Sequence, residues 1–145
     1  MELRNLDYKE ATRDIFAKAN FIQGLGVELL DCGPGWCETR LQVEPRHLQQ
    51  DSMVHAGVQS TMADHTAGAA AGTLMSKEQI VLTVEFKVNL LRPAVGESLF
   101  CRAKVLKPGR RLTIVESEVY AVKGDTNVLT SKGMFTMAVV PKTER

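Results

Sequence analysis

The sequence predicts an α+β fold, a curved antiparallel sheet wrapped around one long central helix. Three observations predict it. Residues 55–75, HAGVQSTMADHTAGAAAGTLM, are dominated by Ala, Gly, Ser and Thr and contain no proline, the texture of a single helix. Four β-like stretches follow it, separated by turn residues. An amphipathic segment and a candidate hairpin precede it.

Taken in order, residues 7–19 place Tyr8, Ala11, Ile15, Phe16 and Ala19 at helical spacing, which predicts a short amphipathic helix. Residues 25–30 and 36–43 read as strands, the second alternating as Trp36, Glu38, Arg40, Gln42. Asp31, Gly33, Pro34 and Gly35 form the turn of a hairpin between them. The central helix spans about 20 residues, roughly 30 Å at 1.5 Å per residue. Gly57, Gly68 and Gly72 each lower its helix propensity by about 1 kcal/mol, which suggests a close approach to its backbone. Strands are predicted at 80–91, 98–106, 112–122 and 127–139. The breaks are Leu90-Leu91-Arg92-Pro93, Lys107-Pro108-Gly109 and Lys123-Gly124-Asp125. Neither repeat nor linker is visible, so 1–145 reads as one domain, with its core at about 25–140.

Composition narrows the partners. At 145 residues the chain can bury a core without disulfides or metals, and 44% hydrophobic with 24% charged residues is a globular balance. A net charge of +1 gives no global attraction to nucleic acid or acidic membranes, so neither is expected as a partner. No apolar run approaches the roughly 20 residues that cross a bilayer. The start, MELRNLDYKEATRD, has no apolar core of a secretion signal, so a cytoplasmic location is expected. Cys32, Cys37 and Cys101 are odd in number and irregularly spaced. They predict no disulfide framework and no zinc site, and Cys37 and Cys101 read as packing residues.

The constellation that carries chemistry is Gln49, then His55-Ala56-Gly57, then Asp64, with Thr83-Val84-Glu85-Phe86 and Arg92-Pro93-Ala94 beyond it. In these residues the chain resembles the PaaI-type, or phenylacetate-pathway, hotdog-fold thioesterases, and their relatives the hydroxybenzoyl-CoA and mammalian THEM thioesterases. The resemblance runs from about residue 25 to residue 139. It implies a hotdog fold and hydrolysis of acyl-CoA thioesters to free acid and coenzyme A. No cofactor is implied, since coenzyme A is part of the substrate. It also implies a homodimer, able to pair again into a tetramer, whose sites join the helix N-terminus and Gln of one chain to the acid and hydroxyl of its partner.

Residue by residue, the resemblance makes Gln49 the side chain that orients the acyl carbonyl or water. Ala56 supplies a backbone N–H to the oxyanion, Asp64 is nucleophile or general base, and Thr83 positions water beside it. The 107–111 turn, with Lys107, Gly109, Arg110 and Arg111, matches a segment that lies along coenzyme A. One position departs from the pattern. The family usually reads His-Gly-Gly, and Ala56 keeps the N–H donor while its methyl narrows the pocket.

Elementary chemistry supports the same residues. Thioester hydrolysis needs donors for a developing oxyanion and a group that activates water or attacks directly. The first turn of a helix offers free N–H groups and a partial positive charge, and Ala56 and Gly57 sit where that turn is predicted. Asp64 is the only acid between Asp51 and Glu78, on a helix otherwise small or apolar, where an unpaired carboxylate is costly. Eight residues, about 12 Å along the axis, separate Ala56 from Asp64. One carbonyl cannot touch both in one chain, so a site that uses both must be built by two antiparallel helices.

Other readings stand beside this one. His55 is expected either to cap the helix or to join the chemistry, and His47 and His65 to be ordinary packed or surface residues. A metal held by His55, Asp64 and His65 is disfavoured, because consecutive helix positions point about 100° apart. Within the fold, a hydroxyacyl dehydratase or hydratase pairs a His with an acid, but at a spacing this chain lacks. A non-catalytic acyl-CoA-binding domain is the alternative of another class. The acyl group is not legible: a pocket of Ala, Met and Val side chains suits arylacetyl, hydroxybenzoyl and medium-chain groups alike.

Overall fold

A computed structural model describes residues 1–143. Two short helices, α1 (Tyr8–Lys18) and α2 (Asn20–Leu25), lead into β1 (Val27–Gly33) and β2 (Trp36–Gln42). A single 3-10 turn (Pro45–His47) and a loop then lead into the central helix α3 (Ala56–Gly72). The strands β3 (Gln79–Leu90), β4 (Ser98–Lys107), β5 (Leu112–Lys123) and β6 (Thr126–Pro141) complete the chain. All six strands form one antiparallel sheet in the order β1-β2-β4-β5-β6-β3, curved around α3. This is the α+β fold that the small-residue helix and its following strands predicted, and the hotdog fold that the resemblance implied.

Two local differences have clear causes. The predicted first strand began at residue 25, but Asn20–Leu25 is helical and buries Ile22. Gly26, at φ 91°, ends that helix in the left-handed region, so extended backbone starts at Val27. The central helix was predicted to reach residue 75 and stops at Gly72. There Leu74 and Met75 N–H groups bond three residues back, to Ala71 O and Gly72 O, which tightens the last turn.

The inner face of the sheet explains how close α3 lies. Strand alternation sends Cys37, Thr39 and Leu41 of β2, Cys101 and Ala103 of β4, Ser117 and Val119 of β5, and Phe135 and Met137 of β6 into the core, each 0% exposed. Most are small, which admits Met62, Ala63, Thr66, Ala67 and Ala70 of the helix against the strands. Polar groups there are matched. Ser117 Oγ donates to Ala63 O at 2.9 Å, and Thr66 Oγ1 donates to Met62 O at 2.7 Å. Thr66 has then used its hydrogen, so Thr39 donates in the 2.7 Å Thr39–Thr66 bond. The close approach expected at Gly68 and Gly72 does not occur within the chain: a Cβ at either would meet nothing within 4 Å. Their face of α3, shared with Asp64, is only partly buried.

The edge strand β3 is the reverse of the core. Ile80, Leu82, Val84 and Phe86 are all exposed, Val84 to 60%. The outer face of the middle strands is instead charged, with Arg102 paired to Glu38, and Lys132 to Glu116 and Glu118. No helix among the described residues is long and apolar enough to cross a membrane.

Candidate active site

The head of α3 is held by backbone. Val54 N–H donates to Ala94 O and His55 N–H to His47 O, both at 2.9 Å. His47 is a buried clamp: Nδ1 accepts the Glu44 N–H at 3.0 Å, which leaves Nε2 to donate to Leu25 O at 2.7 Å. It ties the end of α2 to the loop before the helix. In that loop Ser52 takes a left-handed φ of 62°, and Ser52 N–H donates to Gln49 O. The Gln49 side-chain carbonyl accepts the Asp51 N–H, which fixes the amide and leaves its NH2 group free to donate.

His55 proves to be the helix cap. Its Nδ1 accepts the Gly57 N–H at 2.8 Å. That corrects the expectation that Gly57 shares the oxyanion role, since its donor is already engaged. Val58 and Gln59 N–H groups bond to His55 O. The Ala56 N–H is then the donor of the first turn with no acceptor among the described residues, at the positive end of the helix dipole.

Two turns on, Asp64 is half-buried and accepts a 2.7 Å hydrogen bond from Thr83 Oγ1 on β3. Burial raises its pKa above the usual carboxylate value, and the Thr83 bond offsets part of that rise. Strand register carries the site onward. Thr83 lies opposite Met137 of β6, and Met137 opposite Thr113 of β5. Thr113 is two residues past the 107–111 turn, and its Oγ1 accepts the Gly109 N–H at 3.3 Å. Gly109 has to be glycine, because a Cβ there would lie 1.9 Å from Leu112 O. Lys107, Arg110 and Arg111 are exposed and make no ion pair among the described residues.

The sequence-predicted residues thus fall into two groups. Asp64, Thr83 and the basic turn share one end of the strands, and Gln49, His55, Ala56 and Gly57 share the head of the helix. One chain does not unite them. His65, beside Asp64, packs edge-on against Phe16 of α1 with ring centroids 4.6 Å apart, and burial lowers its pKa. Among the described residues no three His, Cys, Asp or Glu side chains gather as a metal site.

The profile of the thioesterase superfamily matches residues 52–128, a span that holds the helix, Asp64, Thr83 and the basic turn. The chain belongs to the thioesterase superfamily. A thioesterase family protein from Silicibacter pomeroyi superposes with a TM-score of 0.91 at 37% identity, covering 93% of this chain and 99% of that one. A thioesterase from Haemophilus influenzae shares the fold, with a TM-score of 0.86 at 21% identity over 100% of this chain and 99% of its own. A curated relative from the same organism, which bears an esterase name, is 27% identical over 120 residues, 82% of this chain and 84% of the relative. Membership in this superfamily makes the chain a hydrolase of thioesters and accounts for the hotdog fold.

Proposed function

We propose that this thioesterase is of the PaaI type and hydrolyses acyl-CoA thioesters at sites shared between two copies of the chain. The observation that carries the reading is the Thr83–Asp64 hydrogen bond at 2.7 Å, which aims a desolvated carboxylate from an otherwise small-residue helix. The acyl carbonyl oxygen rests on the Ala56 N–H of one copy, with the Gln49 amide as a second donor. Asp64 of the other copy either removes a proton from water as it attacks the carbonyl carbon or attacks directly to form an anhydride that water then opens. In both routes negative charge builds on the carbonyl oxygen beside the helix head, the C–S bond breaks, and the thiolate takes up a proton as coenzyme A leaves. Lys107, Arg110 and Arg111 lie along the coenzyme A phosphates.

Two surfaces support a second copy of the chain. The exposed Leu82, Val84 and Phe86 lie on an edge strand whose outer backbone is unpaired, a combination that invites pairing with another strand. Alongside it, the partly buried Asp64, Gly68 and Gly72 face of α3 has room at its two glycines for a close second helix. Antiparallel α3 helices bring each Ala56 toward the partner's acid and remove the 12 Å gap. The dimer can pair again into a tetramer. Thiol release from a panel of arylacetyl-, hydroxybenzoyl- and medium-chain acyl-CoA substrates tests the activity. Turnover of at least one is expected, and binding without thiol release across the panel would overturn the reading.

A further inference from the structure

Gln59 lies one turn inside the head of α3 and is 3% exposed, yet nothing in the chemistry above uses it. A glutamine amide carries two donor hydrogens and a carbonyl oxygen. One bond is present: Thr130 Oγ1 lies 2.9 Å from Gln59 Oε1. The same hydroxyl lies 3.1 Å from Val119 O, and its single hydrogen cannot serve both acceptors fully. Turning the amide by 180° removes the conflict, because the two ends have the same outline. Nε2 then donates to Thr130, and Thr130 donates to Val119. In either orientation one end of the amide is unbonded.

That end is not sealed in. Among the described residues, the enclosed polar side-chain atoms without a partner are His65 Nε2 and Ser131 Oγ. The unbonded end of Gln59 is not one of them, so that end keeps some access from outside. Val119 opposes Ser131 while Tyr120 opposes Leu129, so β6 carries an extra residue there. This bulge turns Thr130 and Ser131 inward together, each 0% exposed. A buried amide bonded at one end only is costly unless something completes it.

Gln59 follows Ala56 by three residues, one turn and about 5 Å along the axis, on the same side of the helix. An acyl group whose carbonyl oxygen sits on the Ala56 N–H has its second and third carbons within that reach. We propose that Gln59, braced by Thr130, is a specificity residue that hydrogen-bonds a hydroxyl on the third carbon of the acyl chain. A hydroxyl both donates and accepts, so it matches the free amide end in either orientation. The proposal rests on the thioesterase reading and on the Ala56 N–H as its oxygen donor.

The test compares kcat/KM for hexanoyl-CoA and 3-hydroxyhexanoyl-CoA in the full chain. One neutral hydrogen bond predicts a preference of up to about ten-fold for the hydroxylated substrate. Gln59→Leu should lower kcat/KM on the hydroxylated substrate about ten-fold more than on the plain one. Thr130→Val keeps the amide but removes its brace, and should narrow the preference part-way. Equal ratios in the parent and in Gln59→Leu overturn the proposal, as does a parent with no preference. Should Gln59→Leu fail to fold, an unchanged ratio in Thr130→Val overturns it equally. Thiol release with an unmoved ratio counts against Gln59 alone, whereas no thiol release by the parent from any acyl-CoA takes the thioesterase reading down with it.

Discussion

The first and third turns of α3 hold the two halves of the proposed chemistry by opposite means. The first turn offers a neutral donor, the Ala56 N–H, fixed by backbone bonds to His47 and Ala94 and by the His55 cap. The third turn offers a carboxylate that burial makes more basic and that one side chain from another element steadies. A donor made of backbone tolerates most substitutions, since every residue but proline carries it. An acid made of one side chain tolerates almost none. Because both sit on the same rigid helix, the proposed site needs a second copy to bring them together.

The contrast is broken most severely at Asp64. Asp64→Asn preserves shape and removes the charge, so kcat should fall by at least ~10² with little change in KM. The same substitution should raise thermal stability at neutral pH. With its folded pKa above the unfolded value, Asp64 favours the fold below the unfolded pKa, and that contribution is lost as pH rises through the folded one. A kcat near the parent's, or a lower Tm at pH 7, would contradict the assignment.

Next in size is the separation of the two halves. Val84→Lys places a charge on the exposed apolar edge of β3, and should leave a folded monomer by sedimentation whose activity falls nearly as far as that of Asp64→Asn. A fully active monomer would show that one chain suffices.

Thr83→Val sharpens the electrostatic side of the comparison. Losing the hydroxyl removes the one influence that lowers the Asp64 pKa, so the acid limb of the pH–kcat/KM profile should move upward. The rate at neutral pH should drop by about ten-fold. A downward or unmoved limb would mean that Thr83 does not hold the ionised acid. Smallest is Arg110→Ala, on the exposed turn. A contact worth about 0.5–1 kcal/mol predicts a KM for acyl-CoA raised two- to five-fold with kcat unchanged, and an effect that shrinks in high salt. An acyl-pantetheine substrate without the nucleotide should be indifferent, and equal loss on both substrates would place Arg110 elsewhere.

Much of this was legible in residue order. The Ala- and Gly-rich run could only be a helix, since it has neither the branched side chains nor the alternation of a strand. The alternating stretches after it could only bury one face. Asp64 stood out because no other acid shares that helix, and His55 was readable as a cap from its place at the helix start. Asn20–Leu25 was not read as a helix, because six residues are too few to establish a period. Gly26 decided the boundary through a φ that residue type permits but does not require.

Sequence alone determined which residue types lie where along each element: the acid in the third turn, the donor in the first, the basic turn beside Gly109. Tertiary structure decided which of them meet. The Thr83–Asp64 bond joins positions 19 apart and depends on where β3 falls against α3. The capture of the Gly57 N–H by His55 depends on a side-chain rotation. The pairing of Gln59 with Thr130 spans 71 positions and depends on a bulge that turns two consecutive residues inward. Local pattern follows from backbone geometry repeated every few residues. Contact between distant residues follows from strand order and register, which no short stretch of sequence encodes.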